Sequence, residues 1–274
     1  MRISLNTSEQ PEGIRWYDNI WASLIFFTRL PWWRLHQPPQ ECYRTVVEHW
    51  PLAGWLTGGA MAAVIYFGND IFSHSTTVIL AIITRVLMTG ALHEDGLADF
   101  FDGFGGGGND RRRILAIMKD SHIGTYGVLA LIGHSLLLYT ALDYLPVAMA
   151  ALSVFAADAY AKMLAAQAVM MLPYARTVEE SKAHVIYRKM NVRAGIGLFI
   201  QGILPMGALL YFYQGVIDYK TIIFVPCLVM YALYLFLKRR LNGYTGDCCG
   251  ALFLLIELSV YLTINSQYLL WKSF

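Results

Sequence analysis

The feature that most constrains this chain is a series of long apolar blocks separated by short polar segments. The blocks cover residues 51–72, 76–101, 124–143, 146–172, 194–214, 220–237 and 249–271. Each is about 18 residues or longer, the length at which an α-helix crosses the hydrocarbon core of a bilayer. Hydrophobic residues make up 57% of the 274 and charged residues only 15%, which differs from ordinary soluble domains. The sequence therefore predicts an all-α, polytopic membrane helix bundle with about seven transmembrane helices.

The chain is expected to form one integral membrane domain over residues 1–274. Residues 1–50 mix polar side chains with tryptophans and prolines, a composition that indicates an interfacial or cytoplasmic N-terminal segment. Residues 51–274 form the predicted bundle. The first residues lack the apolar core of a signal peptide, so neither cleavage nor export is expected. The four cysteines show no CxxC or Cys/His spacing, which favours packing over zinc binding or disulfides.

Basic residues predict the orientation of the bundle. With a cytoplasmic N-terminus and seven spans, 17 of the 21 Lys and Arg residues fall on the cytoplasmic side, as the positive-inside rule requires. They are Arg2, Arg15, Arg29, Arg34, Arg44, Arg111, Arg112, Arg113, Lys119, Arg176, Lys182, Arg188, Lys189, Arg193, Lys238, Arg239 and Arg240. This asymmetry explains the basic residues without nucleic acid, so the bilayer is the expected partner. A homo-oligomer is compatible with the pattern.

An acidic stretch, HEDGLADFFDG, ends the second apolar block at residues 93–103. At about 100° per residue, Asp95, Asp99 and Asp102 lie within about 60° of one another on a helix, whereas Glu94 points away. Like charges on one stripe repel, and the edge of a membrane increases their cost. A hard divalent cation, Mg²⁺ or Mn²⁺, would offset this repulsion. The alternative is a helix end whose acids are simply solvated.

Glycines and arginines follow the acids. Residues 103–108, GFGGGG, match a GxGxxG pattern, but no strand precedes them, so a dinucleotide fingerprint is not indicated. They favour either a flexible linker or a loop whose backbone approaches a phosphate. Arg111, Arg112 and Arg113 offer donor forks for phosphate oxygens, or they act only as topology signals.

Other polar residues are candidates with a simpler alternative. His93 and His122 are possible substrate contacts, although neither has a histidine partner at metal-binding spacing. Arg85 lies inside a span, as do Asp158 and Lys162, and such charges face a polar cavity or each other. Asp158 and Lys162 stand at i, i+4 and so could form a neutralised pair. Asp247, at the mouth of the last block, either caps a helix or joins the acids on the same side of the membrane.

Four segments together resemble the cobalamin 5′-phosphate synthase family. They are His93–Gly103, the segment Ile117–Gly127 that reads IMKDSHIGTYG, Phe27–Pro31 (FTRLP) and Thr245–Asp247 (TGD). Their order and spacing match along most of the chain, and the acidic pattern joined to the KDS-x-IGT-x-G segment is specific.

The resemblance implies a bacterial or archaeal cytoplasmic-membrane enzyme with its active site facing the cytoplasm. The implied reaction is a Mg²⁺-dependent transfer that joins adenosylcobinamide-GDP to α-ribazole or its 5′-phosphate and releases GMP. The matching residues are Asp95, Asp99, Asp102, Lys119, Asp120, Gly124 and Asp247. We expect the first three to hold metal, Asp120 or Asp247 to accept a proton, and Lys119 with the three arginines to bind nucleotide phosphates.

Two other functions compete with this one. A CDP-alcohol phosphotransferase also uses an acidic helix, but Asp99 stands where that pattern needs arginine after Ala98. A transporter would place Arg85, Asp158 and Lys162 at a midplane site. Product formation in the presence of adenosylcobinamide-GDP, α-ribazole and Mg²⁺ would separate a synthase from both.

Overall fold

A computed structural model describes residues 13–176 and 186–274; the start of the chain with Arg2, and Lys182, lie outside these ranges. In the described ranges the α-helices are α1 Asp18–Phe27, α2 Trp50–Gly68, α3 His74–Thr89, α4 Leu92–Gly106, α5 Arg111–Lys119, α6 Thr125–Asp143, α7 Val147–Ala165, α8 Gln167–Met171, α9 Val192–Phe212, α10 Tyr219–Arg240 and α11 Gly246–Lys272. Two 3₁₀ segments, Trp32–Arg34 and Gln40–His49, connect α1 to α2. The prediction of an all-α chain is confirmed.

The apolar blocks become membrane-length helices. Among the described residues six helical segments are long and apolar enough to cross a bilayer, and α3 with α4 makes a seventh if this bent pair is one span. The prediction of a polytopic bundle with about seven spans is confirmed. Two helices form the centre: in α7 72% and in α11 78% of the membrane-length window is buried, far more than in the other spans. Helices that are apolar all round belong in such central positions.

Small residues allow the central helices to approach one another. Gly54 and Gly58 on α2 face α7, and a Cβ atom added at Gly58 would lie 2.9 Å from the Val154 carbonyl oxygen. Glycine at such a crossing brings two membrane helices into backbone contact, where dispersion rather than the hydrophobic effect stabilises them. The predicted packing role of the cysteines is consistent with the structure, because Cys42, Cys248 and Cys249 are buried and all four are unbridged.

The prediction of one continuous helix over residues 76–101 is wrong. α3 and α4 meet at a bend of 89°. Gly90 and Ala91 between them both have left-handed backbone angles, with φ of 65° and 58°. Two successive left-handed residues cannot continue a right-handed helix. Arg29 packs its side chain against Gly90 and donates its backbone N–H to the Met88 carbonyl at 2.6 Å, so the FTRLP segment supports the break.

The bend lays α4 across one end of the bundle. Near its start, a Cβ atom added at Gly96 would lie 2.8 Å from the Asp247 carbonyl oxygen in the first turn of α11. Further along, Asp102 accepts hydrogen bonds from backbone amides at the start of α6. The acidic helix therefore contacts the N-terminal ends of two membrane helices, which carry partial positive charge.

The basic segments predicted to share one side of the membrane do meet at this end. Arg111 donates to the carbonyl oxygens of Leu241 and Ala175 at 2.7 and 2.8 Å. The Arg188 backbone N–H donates to the Arg44 carbonyl at 2.7 Å. The two Arg111 bonds connect the start of α5 to the segments that follow α8 and α10. The Arg188 bond connects the segment before α9 to the segment before α2. That this shared end faces the cytoplasm stays a prediction.

The charges inside the spans are paired. Lys162 donates to Asp158 one turn away, and Thr57 on α2 donates to the same carboxylate at 2.8 Å, which confirms the predicted neutralised pair. Arg85 on α3 makes two bonds of 2.7 and 2.5 Å to Glu257 on α11, a partner that the sequence analysis missed. Charges that already have partners do not need a substrate or a coupling ion to neutralise them, which weakens the case for a transporter site built from them.

Candidate active site

A cavity of about 120 Å³ lies where α4 crosses the start of α11. Its ionisable Asp, Arg and His side chains come from three parts of the chain: His93 and Asp95 from α4, Asp247 from α11, and Arg176 from the segment after α8. Apolar and aromatic side chains form the rest of the wall. A concave apolar site with a few convergent polar groups is where a small-molecule substrate is expected to bind.

Asp95 lines this cavity from the start of α4, which begins at Leu92. The residue lies in the first turn of α4, where the unpaired N–H groups of the helix favour a carboxylate. Its side chain is exposed, that of Asp99 one turn later is half-buried, and that of Asp102 is buried. Glu94 instead lies 3.9 Å from Arg85, which confirms that it points away from the aspartate stripe.

Asp247 occupies the first turn of α11 and faces the same cavity. Thr245 is the N-cap of that helix, and its hydroxyl accepts the Cys248 backbone N–H at 3.3 Å. The possibility that Asp247 itself is the N-cap is therefore wrong. The Asp247 carboxylate lies 3.8 Å from the Arg176 guanidinium, both being nearly buried. Asp95 and Asp247 thus bring carboxylates from two helices to one cavity, beside one arginine.

Arg176 is the main residue that the sequence analysis did not select for the site. The sequence pattern predicts Arg176 only as a topology signal, yet its side chain is buried and donates to the Leu115 carbonyl at 2.9 Å. The same side chain lines the cavity. A buried arginine next to carboxylates is suited to binding phosphate oxygens, because its planar donors match them in pairs.

Asp102 has a structural role that the aspartate stripe did not predict. Its two carboxylate oxygens accept the backbone N–H groups of Gly124 and Gly127 at 2.6 and 2.8 Å. These amides begin α6, so Asp102 caps that helix from α4. Gly127 also has to be glycine, because an added Cβ would overlap the Asp102 carboxylate. The KDS-x-IGT-x-G segment thus holds the start of α6 against the acidic helix.

The glycine run is mostly helical rather than a flexible loop. α4 continues to Gly106, and only residues 107–110 separate it from α5. A Cβ at Gly103 would lie 2.6 Å from Met118 on α5, and one at Gly105 would lie 2.5 Å from the Tyr126 ring on α6. The glycines therefore allow three helices to pack closely. The expectation of a flexible linker or a phosphate-binding loop is therefore wrong for residues 103–106, which belong to α4.

The three arginines lie in different surroundings. Arg111 binds the backbone carbonyls that connect the shared end of the bundle, as described above. Arg112 and Arg113 are exposed, and their backbone N–H groups donate to the Asp110 side chain that caps α5. Lys119 is exposed at the other end of the same short helix. Phosphate binding by Arg112, Arg113 and Lys119 stays a prediction.

Asp120 and His122 form an exposed pair in the loop before α6. His122 Nδ1 and Asp120 Oδ1 are 2.6 Å apart, and the His122 backbone N–H donates to the same oxygen at 3.1 Å. The side-chain hydrogen bond lowers the pKa of the Asp120 carboxyl and raises the pKa of the His122 imidazole. Of the two bases that the sequence left open, Asp247 lines the cavity and Asp120 does not, and the role of either as a base stays a prediction.

The donor set fits Mg²⁺ only in part. In residues 13–176 and 186–274, no group of three or more His, Cys, Asp or Glu side chains is arranged to hold a metal ion. Magnesium does not require such a cage, because it keeps several waters and binds one or two carboxylates together with substrate phosphates. Asp95 and Asp99, one helical turn apart, meet that requirement. Asp102 is buried and each of its oxygens already accepts one amide N–H, so it is less available than the other two, and metal binding by Asp102 stays a prediction.

These features define a class of protein: an α-helical membrane protein with an acidic and basic ligand site at one end of its bundle. The chain belongs to the cobalamin-5-phosphate synthase family, whose sequence profile matches residues 19–265. The resemblance inferred from the four segments is confirmed.

Relatives of nearly the same length carry one name, adenosylcobinamide-GDP ribazoletransferase. The protein of Vibrio parahaemolyticus is 36% identical over 271 residues, which cover 97% of this chain and 99% of the relative. That of Pseudoalteromonas atlantica is 35% identical and covers 92% and 95%. That of Vibrio cholerae is 32% identical and covers 88% and 91%. No solved structure matches the chain.

Proposed function

We propose that this protein is an adenosylcobinamide-GDP ribazoletransferase that joins adenosylcobinamide-GDP to α-ribazole or its 5′-phosphate and releases GMP. The observation that carries the proposal is the similarity, along nearly the whole chain, to relatives of that name. The cavity agrees with it, because two carboxylates and a buried arginine suit a reaction at a diphosphate.

The proposed reaction exchanges one P–O bond for another. The 3′-hydroxyl oxygen of the ribazole bonds to the phosphorus nearer the cobinamide, the bond from that phosphorus to the bridging oxygen breaks, and GMP leaves with the bridging oxygen. Asp247 takes the hydroxyl proton, and Arg176, 3.8 Å from that carboxylate, binds a non-bridging phosphate oxygen. Positioning and charge neutralisation provide most of the acceleration in such transfers.

Asp95 and Asp99 are proposed as the protein ligands of Mg²⁺. When held by these residues, the ion would supply neutralisation of the negative charge on the diphosphate and on the leaving GMP. Exposed Arg112, Arg113 and Lys119 on α5 are proposed to bind nucleotide phosphates at the same end of the bundle. Asp102 is placed outside this set because it caps α6.

We also propose that the site faces the cytoplasm from the inner membrane of a bacterium. The support is that the basic segments meet at the site end of the bundle and that the similar proteins are bacterial. A cysteine introduced at exposed Arg112 should react with a membrane-impermeant maleimide only after the inner membrane is opened. Labelling of this cysteine in intact spheroplasts would show that the site faces the periplasm, and would contradict the proposed orientation.

The transferase proposal is tested with purified protein in nanodiscs. Adenosylcobinamide-GDP and α-ribazole are supplied with and without Mg²⁺, and GMP and the corrinoid product are measured by mass spectrometry. Asp95→Asn and Asp99→Asn should lower GMP release at least about a hundredfold, because each removes charge acting on the phosphates. Asp70→Asn is the matched control, since Asp70 is exposed in the loop between α2 and α3. The absence of corrinoid product from wild-type protein would refute the proposed activity.

A further inference from the structure

One wall of the cavity is a set of nearly parallel aromatic rings. Phe27 and Trp50 have ring centroids 5.0 Å apart at an interplanar angle of 13°. The His93 ring lies 5.9 Å from Trp50 at 20°. All three line the cavity, and they come from different helices: α1, α2 and α4. These rings stack on one another and are nearly buried, so a planar aromatic ligand would add to the outer face of the stack where it borders the cavity, whatever its substituents.

The polar atoms of this wall lack partners within the described part of the chain. His93 is 2% exposed, and neither of its ring nitrogens makes a hydrogen bond there. Trp50 is also 2% exposed, and its indole N–H is similarly unsatisfied. Burying polar atoms without partners is costly, and such atoms are uncommon in native proteins. A neutral imidazole offers one donor and one acceptor, and the indole adds a donor.

The facing wall leaves room for a ligand. Gly246, at the start of α11, lines the cavity, and an added Cβ atom there would have no other atom within 4 Å. Gly250, one turn later, also lines it and lets α11 approach the backbone of His93, where an added Cβ would lie 3.3 Å from the Cα atom. The open space therefore lies beside Gly246, next to Asp247.

We infer that this cavity binds a planar nitrogen heterocycle, which extends the aromatic stack of Phe27, Trp50 and His93 from its outer face and hydrogen-bonds to His93. The inference rests on the proposed transferase function, which provides two sources of such a ring: the base of α-ribazole and the guanine of the nucleotide. In either case the attached ribose lies beside Asp95 and Asp247. His93 is then a specificity-determining residue that recognises a ring nitrogen.

The decisive variant is His93→Phe, which keeps an aromatic ring in the wall and removes both nitrogens. Binding of α-ribazole and of GMP to the full-length protein in nanodiscs is measured by calorimetry, and KM is measured for each substrate. We expect about a tenfold weaker affinity for one of the two ligands, α-ribazole or GMP, which is the loss typical of a deleted buried hydrogen bond. The ligand whose affinity falls is the one whose ring binds in the cavity. His134→Phe is the matched control, because His134 is buried on α6 but does not line the cavity.

A second variant tests the space itself. Gly246→Leu adds a side chain at a residue that lines the cavity, and its Cβ atom has no other atom within 4 Å. This variant should weaken binding of the same ligand about tenfold or more, whereas Gly207→Leu, whose Cβ atom on α9 is equally unobstructed, should not. The inference is overturned if wild-type protein forms product while both cavity variants keep the wild-type affinity for α-ribazole and GMP and the wild-type KM for both substrates. A wild-type protein that forms no product while His93→Phe still weakens ligand binding would remove the proposed function and keep the heterocycle site.

Discussion

Replacing Asp102 separates its two candidate roles, metal ligand and helix cap. In the structure its oxygens accept two backbone N–H groups at 2.6 and 2.8 Å, and the side chain is buried. A hydrogen bond to a charged group contributes about 1.5–3 kcal/mol, and a lost helix cap costs about 0.5–2 kcal/mol. Because the two bonds share one carboxylate they do not add fully, so Asp102→Ala should lower the free energy of unfolding by about 3 kcal/mol.

The measurement is thermal unfolding in one detergent, followed by tryptophan fluorescence, together with GMP release per folded molecule at low temperature. A loss of this size lowers the melting temperature by about 5 to 10 °C in a chain of this length. The remaining folded enzyme should keep its Mg²⁺ dependence. Asp70→Ala, which changes an exposed carboxylate at a loop, should melt like wild type. The capping role would be refuted by an Asp102→Ala protein that melts normally but has lost GMP release or needs much more Mg²⁺.

Three further predictions follow from other contacts. The hydrogen bond with Asp120 raises the pKa of His122, so the protonated imidazole persists to higher pH than usual and the ionic contact is lost as pH rises through that value. Asp120→Asn should shift the His122 titration, measured by NMR of labelled protein, to lower pH; an unchanged titration contradicts the pairing. Gly96→Val should disrupt the crossing of α4 and α11, because an added Cβ would lie 2.8 Å from the backbone of α11; GMP release equal to wild type would argue against that crossing. Arg85→Met should destabilise by about 3–5 kcal/mol by leaving Glu257 unpaired, and Arg85→Met with Glu257→Leu should recover much of the loss in a thermal-unfolding series; a double variant less stable than the single one would contradict this.

The spans could be predicted because the bilayer sets the length of every helix that crosses it. The acidic stretch could be placed on one helix because helical periodicity is local. The bend between α3 and α4 could not be predicted from hydropathy, because an apolar run indicates that a segment is buried and does not indicate whether its helix changes direction. Gly90 in the middle of the run was the available sign, since glycine commonly ends a helix in the left-handed conformation.

Other parts of the site depend on contacts that only the folded chain brings together. Arg176 reached the cavity from a segment after α8, and no local pattern distinguished it from a topology signal. Glu257 could have been found by balancing charges, because Arg85 and Lys162 lie in spans with only Asp158 to neutralise them. The glycine run was misread because glycine has a low helix propensity, which close packing against neighbouring helices overrides here.

The right angle between α3 and α4 has a consequence for how large substrates reach the reacting groups. Along a helix that continued through the bilayer, each turn would move a side chain about 5.4 Å deeper or shallower. Along α4, which lies across the bundle end, the same turn changes its lateral position instead. For the proposed reaction, this arrangement would let the corrinoid and the nucleotide bind side by side along α4 and not at different depths of the bundle.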